Sequence, residues 1–421
     1  MMKSKRDINE DKYIFTRIGT LNSVEFICCI LNSIIGSGAL RLGSSFNSGI
    51  IFSHILNIFV ALVSIYSIKL FVYAAAYYHE STFEEIWSVA FSNKTKIIPA
   101  ICSILSSFTN VMSYLSFLQN SFVQILSMLI LLINDEAQET VDQIERYSLL
   151  IGLGIIVIFC VPICMSSNLR LVALLSFISL FFFGGVFIYI IARFIEKVCK
   201  DGFDPNHRLK LFDIKDNIST SISSLTYAYL FYPFAWPGLR HSRKPTVKNL
   251  LNAFNIIILI TFIIYTTMGT FSYLTFFDEN TGGVILDYYP SNTKTNQVLM
   301  LVSHIFVFIY IMFTIPVVLN PSRYIILNYI NKKDEFPLEI WSLIGITLSL
   351  ISLLLANFPD KITDIIYNIA DILTLSLLFI FPPILYLKGY GKSNKLHLVG
   401  AILEIILGVA VISFMLYLDL C

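Results

Sequence analysis

Charge is scarce in this chain. Of 421 residues only 14% are Asp, Glu, Lys or Arg, against about 25% in soluble domains, which excludes an ordinary soluble globular domain. The formal net charge of +1 gives no bulk field that would draw nucleic acid or an acidic partner, so no nucleic-acid partner is expected. Cysteine is sparse too. Cys28, Cys29, Cys102, Cys160, Cys164, Cys199 and Cys421 fall mostly inside apolar runs, where a small buried hydrophobe is the simpler reading than a disulfide or a metal site. His54, His79, His207, His241, His304 and His397 are scattered. Neither a Gly-x4-Gly-Lys-Ser/Thr phosphate loop nor a His-Glu-x-x-His pair occurs, so no enzymatic site and no cofactor are expected. A cleavable signal pattern is also missing, because the first apolar run continues into the fold.

What the chain has in abundance is apolar surface: 56% hydrophobic residues, with 35 Phe and 22 Tyr, and a mean hydropathy of +0.75. Apolar runs long enough to cross a bilayer fall at 24–45, 50–78, 97–133, 147–164, 171–195, 218–237, 250–277, 296–319, 338–358, 362–387 and 396–418. These predict an all-α polytopic membrane protein with eleven spans, whose first partner is the lipid bilayer. Residues 1–22 read as a cytoplasmic tail and 23–421 as one transmembrane domain. Lys and Arg favour the loops on the N-terminal side about two to one, which places the N-terminus in the cytoplasm. Of two glycosylation sequons, Asn93-Lys-Thr95 falls inside and Asn217-Ile-Ser219 outside, close to the membrane.

Two spans carry breaks. The first contains Leu31-Asn-Ser-Ile-Ile-Gly-Ser-Gly-Ala-Leu40, and the sixth contains Pro233 and Pro237. Glycine costs a helix interior about 1 kcal/mol against alanine. Proline removes an N–H and clashes with the preceding turn. Lipid cannot solvate the freed backbone groups, so such a break must be buried in protein or line a wet cavity. Breaks at matching places in two five-span blocks point to inverted repeats, here about 23–196 and 218–388, followed by an extra helix at 396–418. A transport site is then expected between the repeats.

With these features in place the chain resembles the amino acid/auxin permease family, most closely its sodium-coupled neutral amino acid transporter branch. Asn32-Ser-Ile-Ile-Gly-Ser-Gly-Ala-Leu40 is similar to that family's first-helix motif, and Thr314-Ile-Pro-Val-Val-Leu-Asn-Pro-Ser-Arg323 to its eighth-helix motif. Gly269–Phe276 with Ile285–Pro290, and Phe379–Leu387, resemble segments of its seventh and tenth helices. The resemblance implies a LeuT-type fold of 5+5 inverted repeats plus an eleventh helix. It also implies secondary active transport of a neutral amino acid by alternating access, driven by sodium or protons, in a protein acting as a monomer. Gly36, Ser37 and Gly38 would hold the substrate carboxylate at a half-helix N-terminus. Backbone carbonyls over Ala228, Tyr229 and Phe231, with Tyr232 beside them, would take its ammonium. Asn32 and Thr314 stand where that branch supplies oxygens to sodium. The chain departs from the family at Phe231-Tyr232, in place of Cys-His, and at Ala370-Asp371-Ile372, in place of a Gly-Ala-Thr-like turn.

Charges at membrane depth are costly and are candidates for function. Asp371 is the candidate for proton coupling, with Lys69 as an alternative structural partner. Glu25 lies near the start of the first span. Lys69 and Glu404 can be read as snorkelling toward the interface. The alternatives are a proton-coupled exporter of a vacuole- or lysosome-like membrane and, from another class, an amino acid sensor with little transport. The membrane itself is left open between the plasma membrane and a vacuole- or lysosome-like one.

Overall fold

Asn22 begins the first helix. Its side chain accepts from Glu25 N at 2.8 Å while Glu25 Oε2 accepts from Asn22 N at 2.7 Å, a reciprocal cap. Glu25, a candidate intramembrane charge by sequence, is therefore a helix-start residue. The computed structural model describes residues 14, 19–40, 42–134, 137–202, 209–213, 218–229, 239, 241–243, 245–277, 284–289, 293–330, 337–390 and 394–420. Within them the helices are α1 Ser23–Ala39, α2 Ile50–Tyr78, α3 Phe83–Ala90, α4 Ile97–Ile133, α5 Gln138–Arg146, α6 Ser148–Met165, α7 Leu169–Asp201, α8 Ile218–Ala228, α9 Val247–Phe276, α10 Lys294–Ile330, α11 Leu338–Ala356, α12 Lys361–Tyr390 and α13 Lys395–Leu420.

Nine of these are long and apolar enough to cross a membrane: α2, α4, α6, α7 and α9 to α13. They lie where the second to fifth and seventh to eleventh spans were expected. The first and sixth expected spans are represented by the shorter α1 and α8. The over-long third span is one continuous α4. α10 packs along α4 and α7, α9 along α2, and α1 along α7. α4 and α10 thus form a centre that α1 touches, while α8 packs on α1, α2 and α12.

Two spans are not plain α-helices. π turns occupy Ile156–Cys160 in α6 and Ser376–Ile380 in α12. A proline follows each, Pro162 in the first and Pro382 with Pro383 in the second. Pro382 has no N–H for the carbonyl four residues back, Leu378 O. Ser67 of α2 donates its hydroxyl to that carbonyl, so the lost bond is replaced from a neighbouring helix, as a lipid-embedded backbone requires. Arg323 does similar work at the end of α6, donating from Nη1 to Cys164 O at 2.8 Å. A cation at a helix C-terminus suits both the orphan carbonyl and the dipole.

The chain before α1 pairs with the segment entering α9. Leu21 and Ser242 form a parallel bridge, Leu21 N donates to His241 O and Arg243 N to Leu21 O, both at 2.9 Å, and Ile14 N donates to Pro245 O at 2.8 Å. The segment entering α9 therefore ties the two halves of the chain together.

Candidate functional site

The break in the first helix is real and centred on Gly36, whose φ of −8° and ψ of −159° depart from helical values. Gly36 must be glycine for a second reason: a Cβ there would run into the Tyr114 hydroxyl of α4. Past the break the helix continues only through Ala39 and is followed by a 3-10 turn at Ser44–Phe46. The expected second half-helix is thus a short piece. Gly38 lies opposite α8, where a Cβ would sit 3.9 Å from Cα and Cβ of Ala228. The expected meeting of the first and sixth spans is therefore present. Phe231 and Tyr232, with both prolines of the sixth-span break, lie outside the described residues.

Tyr265 of α9 joins the two segments. Its Oη lies 2.6 Å from Ile34 O and 2.9 Å from Ala228 O, so one phenol proton serves a carbonyl of each broken span. Tyr265 is fully buried, as is Tyr229, whose ring meets it edge-on at 5.3 Å. The Tyr229 hydroxyl donates to Asn57 Oδ1 at 2.8 Å, and Asn57 Nδ2 donates to Thr266 Oγ1 at 3.0 Å. The Tyr229 side chain thus serves the α2–α9 contact. Further along, Ser45 O accepts from Ser53 Oγ at 2.9 Å and from Ser221 Oγ at 2.7 Å, which fixes the turn after α1 against α2 and α8.

Asn32 and Thr314 are brought together, with a third residue that sequence reasoning missed. Asn32 Oδ1 accepts from Thr314 Oγ1 at 2.8 Å and from Ser179 Oγ of α7 at 2.7 Å. Both hydroxyls reach Tyr310 O at 2.8 Å and stand 3.0 Å from each other. Four oxygens from α1, α7 and α10 therefore converge, and Asn32, Ser179 and Thr314 are fully buried. None of the four is a carboxylate. Two hydroxyl protons now hold this cluster together, and a hard cation could replace them by accepting the same lone pairs. Asn32 Nδ2 is buried without a partner, leaving a donor one turn from the break. Nothing in the α7 sequence marks Ser179: Ser176 nearby bonds back to Val172 O within its own helix.

Asp371 is not part of this cluster. It accepts from Ser223 of α8 at 2.9 Å and shares a small cavity with Tyr227, Thr374 and Met415. Thr374 in turn meets Ser106 of α4 at 3.0 Å. Lys69, offered as its partner, instead places Nζ 5.7 Å from the Tyr73 ring centre. Glu404 corrects an expectation. It is 4% exposed, so it is buried inside the bundle and does not snorkel to the interface.

The arrangement, a first helix interrupted at Gly36 and meeting α8 in a helical bundle beside a carboxylate-free oxygen cluster, suits a secondary transporter. Residues 20–418 match the family described as transmembrane amino acid transporter protein, and the chain belongs to that family. It is 27% identical over 406 residues to the sodium-coupled neutral amino acid symporter 2 of Danio rerio, covering 91% of this chain and 79% of the relative. Among solved structures it is similar to MhsT in complex with L-phenylalanine, with a TM-score of 0.62, 12% identity, 92% of this chain and 100% of that one. It is also similar to Mhp1, a nucleobase-cation-symport-1 family transporter, with a TM-score of 0.59, 11% identity, 98% of this chain and 96% of that one. The fold is therefore the LeuT-type transporter fold, and the protein is an integral membrane transporter of amino acids rather than an enzyme.

Proposed function

We propose that this chain carries neutral amino acids across a membrane together with sodium, the ion held by Asn32, Ser179, Thr314 and the Tyr310 carbonyl. The observation that supports sodium is the convergence of four uncharged oxygens from three helices beside the broken α1. A hard cation is suited by several such ligands at a helix break. The similarity to a sodium-coupled symporter of neutral amino acids points the same way. The substrate carboxylate is assigned to the backbone N–H groups of Ser37 and Gly38, with Asn32 Nδ2 as a neighbouring donor, and the ammonium to free lone pairs of carbonyls from Ala228 onward. The N-terminus is assigned to the cytoplasm on the distribution of Lys and Arg.

Proton coupling through Asp371 is the second reading, favoured by a carboxyl bonded to Ser223 of α8, the described part of the sixth span. Uptake of radiolabelled amino acids into proteoliposomes, with sodium and pH gradients imposed separately, decides between them. The expected outcome is uptake of small neutral amino acids that follows sodium. Uptake that ignores sodium and follows pH would transfer coupling to Asp371, and indifference to both would discard each ion assignment.

A further inference from the structure

A cavity of about 260 Å³ lies beside the second half of α4, lined by none of the Asn32 cluster residues. Its α4 wall is Phe117, Asn120, Ser121, Val123 and Gln124, about 5 to 15 Å along the helix axis from Tyr114. The rest of the wall carries Glu145, Asp287 and His304. Among the described residues its lining is rich in acceptors: two carboxylates, two side-chain amides and two serine hydroxyls, with no Lys or Arg.

His304 is the informative residue. It is 2% exposed, yet neither ring nitrogen has a hydrogen-bond partner. Its Nε2 stands 3.9 Å from Asp287 Oδ1, too far for a direct hydrogen bond. A buried imidazole left in this way costs free energy unless something in the cavity completes it. One N–H-rich group placed between the two residues could donate to both. A neutral imidazole accepts at one nitrogen, and a carboxylate accepts at either oxygen.

We propose that this cavity is a second binding site, for a small organic solute that carries a primary ammonium group and no carboxylate. The ammonium bridges His304 and Asp287 with Glu145 near the rim, and the body of the solute rests on Phe117 and Val284. A carboxylate is disfavoured because Glu145 and Asp287 in the wall would repel it. The site has a path to the transport machinery. Asp287 shares the 3-10 turn Ile285–Tyr288 with Ile285, and Ile285 N donates to Leu40 O at 3.1 Å, at the end of α1. A solute that fixes this turn also fixes the segment leaving the break. Occupancy therefore slows amino acid uptake without competing for the central site, a consequence that rests on the transport reading above, whereas binding itself does not.

Binding is read first, as thermal stabilisation of the purified full-length protein in detergent titrated with ethanolamine, at constant sodium. A saturable rise in melting temperature is expected in the wild type. His304→Leu and Asp287→Asn should each weaken it by about tenfold or more, the loss of one charge-assisted hydrogen bond. Glu145→Gln, a change at an exposed rim position, should weaken it less. No saturable shift at millimolar ethanolamine overturns the proposal. So does an equal shift in all variants, an equal shift with uncharged ethylene glycol, or stabilisation by calcium chloride in place of ethanolamine. In proteoliposomes, ethanolamine should lower maximal uptake of the amino acid and leave its half-saturation unchanged. A failure there with binding intact would bear on the link to α1, and an absence of any uptake would bear on the transport reading alone.

Discussion

Ser179 and Thr314 each contribute one hydroxyl to the buried oxygen cluster, but only Thr314 stands in a motif that sequence could flag. With a cation bound, loss of either oxygen removes a ligand to a charged group, a cost of about 1.5 to 3 kcal/mol. Thr314→Ala and Ser179→Ala should therefore each raise the sodium concentration for half-maximal uptake by about ten- to a hundredfold, measured as initial rates over a sodium series. Unchanged sodium dependence in both would remove the ion from this cluster. The two glycines of the break should separate cleanly. Gly36→Ala places a methyl group against the Tyr114 hydroxyl, while Gly38→Ala meets Ala228 at an ordinary 3.9 Å. Gly36→Ala should abolish uptake or folding, Gly38→Ala should fold normally, and Gly38→Val, with its larger branched side chain, should fold but lose uptake. Uptake with wild-type kinetics in Gly38→Val would remove the carboxylate from that position.

At the scale of elements, α3 connects two spans and carries a buried acid. Glu84 is 4% exposed and its Oε1 has no partner. Burial, with a smaller contribution from the charge of Glu85, pushes its carboxyl up from the ordinary 4.5 to about 7. The folded state therefore holds this proton more tightly than the unfolded chain. The resulting stabilisation is fully present below about pH 4.5 and is lost as pH rises through about 7. Melting temperature should fall from pH 5 to pH 8 in the wild type, and the slope should flatten in Glu84→Gln. Parallel slopes in the two proteins would show that another group carries the pH dependence. Other elements show how far sequence could be read. The limits of α4 follow from its apolar run, because composition and length alone fix a spanning helix. Which of its hydroxyls act between helices does not follow. Thr109 bonds back to Leu105 O and Ser106 O, whereas Ser107 reaches Val318 O on α10. The choice depends on which helix lies opposite. The π turn of α12 was equally hidden, since Pro382 signals a missing bond but not that Ser67 replaces it.

For the whole molecule, the chain order of spans and the break in the first were legible, because bilayer thickness and backbone solvation act on sequence directly. The contacts that make a site of them were not: Tyr265, which serves both broken spans, reads in sequence as one more aromatic residue of an apolar helix. Orientation can be tested on exposed positions at opposite ends. In a cysteine-less background, Glu139→Cys should label from outside and Lys248→Cys from the cytoplasmic side, as the distribution of Lys and Arg requires. Labelling of both from one side would overturn the assigned span order between them.

The absence of any carboxylate among the oxygens of Asn32, Ser179, Thr314 and Tyr310 also has an electrical meaning. A cluster that is neutral when empty becomes positive on taking up one monovalent cation, and a zwitterionic amino acid does not cancel that charge. If sodium is the coupling ion, as proposed above, and one ion accompanies each amino acid, a cycle would move one net charge, and the membrane voltage would contribute about 2.3 kcal/mol per 100 mV to the direction of flow. On that proposal, a neutral donor set in the middle of the bundle would make the amino acid's movement readable as a current.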